Sequence, residues 1–282
     1  MARILVPLDE SALAEEAIPW AADVARAEGL EVHLLSVHRS DEEFWEFAEL
    51  EPGARFCQAV DSLPVYLDTM SNSPSLKRLH ASTEICTGDI AQRIVEAAER
   101  GETHMIAISS RGRGGATGPG NGSVADKLVR TLAVPVMVVP PGCAPEKIEA
   151  ILVPLDGSST AEKALGPARQ LAQATGATIH LLRVINLSSD WRIEAGDESD
   201  LLEHLTGRAE QYLARIAEPG ELPVALRGHP SKTIREYARG NRCQLIAMAT
   251  HGWSGPIRTE LGSTADDVVR LSDRPVLLIR AR

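Results

Sequence analysis

The sequence predicts an α/β protein of two tandem, doubly wound, five-stranded parallel-sheet domains, each with strand order 3-2-1-4-5. Three observations carry this. The run Ile4-Leu-Val-Pro-Leu-Asp9 recurs letter for letter as Ile151-Leu-Val-Pro-Leu-Asp156, 147 residues on. An apolar run ending at Gly112, nine further residues and then Gly122-Ser123 recur at Gly252 and Gly262-Ser263, 140 residues on. Between these marks short apolar runs alternate with segments of helical periodicity, the pattern of a parallel sheet with helical crossovers. The offset shrinks between Val37 (matching Val184) and Gly88 (matching Gly228), so the first copy carries about seven extra residues there, an indel size suited to a surface loop. The domains are expected at 1–141 and 148–282, joined by Pro140-Pro-Gly-Cys-Ala-Pro145.

In chain order, Ile4–Asp9 reads as a strand buried on both faces, closed by a carboxylate. Ser11 is placed to cap a helix that Gly29 stops, with Pro19 a possible kink, and residues 32–37 form the second strand. The acidic, aromatic stretch 41–51 reads as a solvated face. A weak helix over 58–70 is interrupted by Pro64, and 71–75 is a loop by composition. Then come a poorly marked strand at 79–86, an amphipathic helix over 89–100, a strand at 104–109, the glycine loop, a helix over 123–131 and a strand at 135–139. The second copy gives strand 151–156, helix 159–175, strand 178–184, an acidic loop and helix 199–217. Strand 222–227, helix 231–239, strand 244–249, the second glycine loop, helix 263–271 and strand 275–279 complete it.

The bulk numbers narrow the function. A net charge of −10 and a pI near 5.3 argue against a nucleic-acid-coating protein, and 4% aromatic residues provide no base-stacking platform. They leave room for a single nucleotide, because a main-chain cradle needs little side-chain charge. Cys57, Cys86, Cys143 and Cys243 form no C-x-x-C pair and read as reduced thiols. No apolar run approaches the length of a membrane span, and the first one is too early for a signal-peptide core, so a cytoplasmic protein with no membrane partner is expected.

In a doubly wound sheet, ligands sit beyond the carboxyl ends of the strands where the order reverses. Asp9 ends strand one and Gly112 follows strand four, so the repeated carboxylate and glycines should meet. Glycine permits close approach to the main chain, and a helix start favours anions. Amides near Gly112 and Gly122-Ser123 would take phosphates while Asp9 accepts from an adenine amino group or a ribose hydroxyl. Arg111 and Arg113 would neutralise phosphate in the first half, with His251 and Arg258 the nearest candidates in the second.

These same residues carry a family resemblance. The I-L-V-P-L-D start, the G-x9-G-S element, the V-A-D-K-L-V-R that follows it and P-V-M-V-V resemble the universal stress protein family, in both halves and over nearly the whole chain. The family's ATP-binding branch has the pattern G-x2-G-x9-G-[S/T]. Here its first glycine is replaced by Ser109 in one half and Ala249 in the other. The resemblance implies a Rossmann-like fold and ATP as ligand, with Mg²⁺ on its phosphates. It also implies an internal pseudo-dimer in which the last strands, 135–139 and 275–279, pair between domains, with further homodimerisation as an option. The binding set it implies in the first domain is Pro7, Leu8, Asp9, Val37, Ser109, Arg111, Gly112, Arg113, Gly122, Ser123 and Val124. In the second it is Pro154, Leu155, Asp156, Val184, Ala249, His251, Gly252, Gly262, Ser263 and Thr264. Val37 and Val184 would pack on adenine.

Plainer readings stand beside these. Ser123 and Ser263 begin S-x-x-D patterns that would serve as capping boxes, and Asp9 and Asp156 would serve as caps of the following turn. His33 and His180 lie at the start of a strand, remote from the ligand end, and read as structural. The eight histidines show no metal-ligand spacing. With no G-x-x-x-x-G-K-[ST] loop, no G-x-G-x-x-G after the first strand and no G-x-S-x-G elbow, enzymatic work is not the expected role. The alternative is a scaffold that keeps the fold without the nucleotide.

Overall fold

The computed structural model describes residues 1–38, 52–112, 123–186, 198–250 and 261–280, with the backbone alone at 52–61, 123 and 198–201. The chain divides into two compact units, Met1–Pro145 and Glu146–Arg282. In the first unit the strands are β1 Arg3–Leu8, β2 Glu31–His38, β3 Ala81–Thr87, β4 Thr103–Ser109 and β5 Val136–Val139. They pair in parallel in the order β3-β2-β1-β4-β5. The second unit repeats the order as β8-β7-β6-β9-β10. Its strands are β6 Ala150–Leu155, β7 Thr178–Ile185, β8 Leu222–Arg227, β9 Leu245–Ala249 and β10 Val276–Ile279.

The continuous apolar runs are the inner strands because only a strand covered on both faces tolerates them. Ile4, Leu5, Val6, Ile151, Leu152 and Val153 are all fully buried, each contributing about 1.5–3 kcal/mol of apolar burial. β3 alternates between half-buried and exposed positions, as an outer strand should. That explains why its sequence marks it poorly.

The helices are α1 Ala12–Glu15, α2 Ala17–Glu28, α3 Pro52–Ser71, α4 Ile90–Arg100 and α5 Ser123–Thr131, then α6 Ser159–Glu162, α7 Leu165–Thr175, α8 Glu198–Ile216, α9 Pro230–Gly240 and α10 Ser263–Leu271. Two expectations need correcting. The first helix of each unit is not continuous: it breaks after Glu15 and again after Glu162. Pro19 and Pro167 are each the third residue of the new helix. Proline donates no N–H and crowds the carbonyl four residues back, so the break falls well before the proline itself. The helix expected over 58–70 runs from Pro52 to Ser71 with Pro64 inside it, and the segment expected as a loop after it contains a 3-10 turn at Pro74–Leu76.

Each α2-type helix stops at a left-handed glycine, Gly29 (φ 67°) and Gly176 (φ 75°). Trp20, fully buried on α2, donates from its indole nitrogen to the Cys143 carbonyl at 3.1 Å. Glu16 accepts from the Gly142 amide at 2.7 Å. These two bonds pin the Pro-Gly-Cys stretch after β5 to the body of the first unit.

Candidate functional site

The site forms at the carboxyl ends of β1 and β4 in the first unit and of β6 and β9 in the second. Asp9 turns the chain out of β1. Its Oδ1 accepts from the Ser11 amide at 3.1 Å and from the Ser11 hydroxyl at 2.5 Å. Ser11 in turn caps α1, accepting from the Ala14 amide at 3.2 Å. Asp156 does the same with Ser158 (2.9 and 2.5 Å), and Ser158 with Ala161 (3.1 Å). The middle residue of this turn takes a positive φ in both units, 61° at Glu10 and 84° at Gly157. The turn-capping reading of both aspartates therefore holds for one carboxylate oxygen.

The other oxygen of Asp9 faces Gly112. A Cβ placed on Gly112 would run into Asp9 Oδ2 and stand 3.3 Å from its Cγ. A side chain there would require the Asp9 carboxylate, held by Ser11 through its other oxygen, to swing aside, so the first-strand carboxylate and the glycine after β4 adjoin, as the strand order requires. Ser109 is buried, its Oγ accepting from the Arg111 amide at 3.4 Å, and Arg111 is exposed. Ala249 is buried at the matching place. Pro7, Leu8, Pro154 and Leu155 are buried in their strands, Val184 is buried, Val37 is partly exposed, and Val124 and Thr264 lie partly exposed in the first turns of α5 and α10. Arg113, Gly122, His251 and Gly252, like Arg258, lie outside the described residues, and of Ser123 the backbone alone is described, as the first residue of α5.

In the second unit the Gly262 amide donates to the Thr250 carbonyl at 2.9 Å, tying the start of α10 to the end of β9. Gly262 is the N-cap of α10 and Ser263 its exposed first residue. Two corrections follow. Ser263 is not a capping residue, and the Gly262 amide is already engaged. The donors that the helix start leaves without an intrahelical partner are those of Ser263, Thr264 and Ala265. In α10 the expected S-x-x-D box does not form; Asp266 pairs with Arg270 one turn on (3.3 Å), as Asp126 pairs with Arg130 (2.6 Å) in α5.

Sequence reasoning missed a second layer. In the first unit Tyr66 on α3 faces Glu15, Asp9 and Glu10. Burial and then these carboxylates hold its phenol well above the ordinary value. Its hydroxyl is buried, without a hydrogen bond of good geometry. In the second unit Tyr212 on α8 donates to Glu162 at 3.0 Å. Burial, Glu162 and Asp156 raise its pKa while Arg183 pulls it down. Glu15 and Glu162 share the 147-residue offset of the aspartates, and the tyrosines differ by 146. Comparing the copies position by position was the signal that would have found them. The same offset matches Ser36 with Arg183, each paired in register beside the last residue of its neighbour, Leu8 and Leu155.

His33 and His180 are buried away from this end. His33 bridges Ser82 (2.7 Å) and Glu84 (3.1 Å), and His180 meets Tyr237 (2.9 Å). Among the described residues no group of three or more His, Cys, Asp or Glu side chains is arranged to hold a metal ion, and no helix is long and apolar enough to cross a membrane.

The model of the universal stress protein family matches residues 1–140 and again 147–280. The chain belongs to that family. It is a tandem member, matched by a universal stress protein of Mycolicibacterium smegmatis at 25% identity over 99% of this chain and 97% of the relative. A single-domain-sized relative from Thermus aquaticus is 33% identical over 136 residues, 47% of this chain and 98% of its own. The fold matches the crystal structure of a universal stress protein from Archaeoglobus fulgidus with a TM-score of 0.68, covering 100% of this chain and 98% of the other at 22% identity.

Proposed function

We propose that this tandem universal stress protein is an ATP-binding regulatory protein of the stress response, with one candidate site per unit and Mg²⁺ carried on the phosphates. The observation that carries this is the close approach of Gly112 to the Asp9 carboxylate at the point where the strand order reverses. A main-chain surface kept bare beside an acceptor suits a ligand that is anionic at one end and offers amino or hydroxyl donors at the other. The first-turn amides of α5 and α10 supply donors for the phosphates. The aspartates, held in place by Ser11 and Ser158, supply a fixed acceptor. Nucleotide binding would bias the protein between shapes or partners by differential affinity. Binding is the proposed role, and not catalysis.

A second reading, a scaffold without nucleotide, is favoured by one observation. Ser109 and Ala249 bury side chains where the ATP-binding pattern has glycine. Calorimetric titration separates the two readings. Intact protein should take up ATP with Mg²⁺ at two sites, and Gly112→Val should lose the first-unit site, because its side chain collides with Asp9. Absence of any heat of binding, together with no ATP, ADP or AMP in an acid extract of the purified protein, would establish the scaffold.

A further inference from the structure

Three neighbouring parallel strands of the second unit, β10, β9 and β6, are entered from the end opposite the aspartate turn. The residues leading into them line a groove of about 460 Å³: Glu146, Lys147 and Glu149 before β6, Arg242 and Gln244 before β9, and Arg274 before β10. Gln244 is only 7% exposed. Its Oε1 accepts from the Glu149 and Ala150 amides at 2.9 Å each, which fixes the orientation of the side-chain amide. Its Nε2, a double donor, is left without a partner among the described residues.

The cations beside it are also underused. The Arg274 side chain is 20% exposed, its Nη1 reaches Glu146 only at 3.4 Å, and its Nε is buried with no partner. Arg242 is exposed, and its guanidinium has no partner among the described residues. Arg242 also holds a φ of 51° just after α9, the left-handed place where glycine or asparagine would sit at less cost. The carboxylates offset this charge only in part. Glu149 pairs with Lys147 at 3.5 Å, and both Glu149 and Glu146 are mostly in water, which screens them. Donors withdrawn from water without an acceptor are costly, and an incoming acceptor relieves that cost.

We propose that this groove binds a small oxyanion, the carboxylate or phosphate group of a free small molecule, through Gln244 Nε2 and the guanidinium groups of Arg274 and Arg242. The fork of an arginine matches either group. The site stands at the other end of the sheet from the candidate nucleotide site and does not depend on it. It belongs to one copy alone. The 140-residue offset puts Glu102, His104 and Val134 of the first unit at the positions of Arg242, Gln244 and Arg274. There Glu102 pairs with the Met1 amino group at 3.2 Å and His104 with Glu28 at 3.0 Å, so the matching corner is acidic and offers no arginine.

Nuclear magnetic resonance on the ¹⁵N-labelled full-length chain tests this, with inorganic phosphate and succinate titrated separately at constant ionic strength. At least one probe should shift the Gln244 side-chain amide and the Glu149 and Ala150 backbone amides along a saturating curve, with a Kd of about 1 mM or below. The tighter probe identifies the group the site takes. Arg242→Gln, at an exposed position, should weaken that binding about tenfold, and Glu146→Gln, which removes a competing acceptor, should strengthen it. Phosphate that also binds at the start of α10 should shift the Ser263 and Thr264 amides on a separate curve, unchanged by Arg242→Gln. Saturation by neither probe overturns the proposal, as does a curve at Gln244 that is the same in wild type and both variants.

Discussion

Glu10 and Gly157 occupy the same left-handed turn with different consequences. At φ 61° Glu10 is a non-glycine residue in a region L side chains rarely adopt. The turn survives because Asp9 and Ser11 clamp it from either side. Individual residues also set the response to pH. Burial holds His33 and His180 below the ordinary histidine value. At His33 Arg3 adds to this while Glu84 and Glu31 oppose it. The unfolded chain therefore takes up protons first as pH falls, and stability present above about 6.5 is lost below it. Glu84 behaves as a paired acid. Burial works against its charge, but hydrogen bonds from Cys86, Arg100 and His33 outweigh it and bring its pKa to about 2. Its share is present above the unfolded value of about 4.5 and is lost from there towards 2. Thermal melts across pH should show both limbs. His180→Gln should flatten the limb beginning near 6.5 and leave the lower one, whereas Glu84→Gln should remove the limb below about 4.5 and steepen the upper one, because it takes away a partner that opposes the lowering at His33. A single limb that neither change alters would contradict this assignment.

At the scale of elements, matching helices in the two units begin differently, and the difference is measurable. Asp89 caps α4, accepting from the Gln92 amide at 2.8 Å. The matching helix α9 starts at His229 with no side-chain cap bond and Pro230 in its first turn. Asp89→Ala should cost about 1 kcal/mol, and His229→Asp should add about 0.5–1 kcal/mol, both read by denaturant unfolding. The Lys127–Asp89 ion pair is exposed on both sides, so its loss adds little to the first figure. Equal effects at the two helices would show that the caps do not set their stability. Elements were legible in the sequence where one local rule decided them. β1 and β6 are apolar runs, α5 and α10 follow the glycine-serine marks, and the duplication shows in the repeated letters. The broken helices were not, because a proline acts on the carbonyl four residues earlier. β3 was faint because a partly exposed strand carries mixed residues. At the site, Asp9 and Gly112 were legible because topology alone brings them together. Arg183, Glu10 and the two tyrosines belong to no motif and show only when one copy is laid on the other.

At the scale of the whole molecule, two units with the same strand order and the same aspartate-serine turn carry separate cores, so a ligand held in one should stabilise that one. A ligand bound only by the folded state adds RT ln(1 + [L]/Kd), about 2.7 kcal/mol at a hundredfold excess over Kd. Hydrogen exchange reads this locally, through the amides of β1 and β4 for the first unit and of β6 and β9 for the second. With ATP and Mg²⁺ in such excess over each site, protection should rise by about that amount in both sets of strands. Gly112→Val should remove the gain in β1 and β4 and leave it in β6 and β9. The collision with Asp9 is confined to the first unit, and the second keeps its own Asp156, its Gly262–Thr250 tie and its first-turn amides. A gain that persists in β1 and β4 of that variant would place the nucleotide elsewhere than beside Gly112. A gain lost from both units together would mean that neither unit binds without the other, and that the duplication had produced one site in place of two.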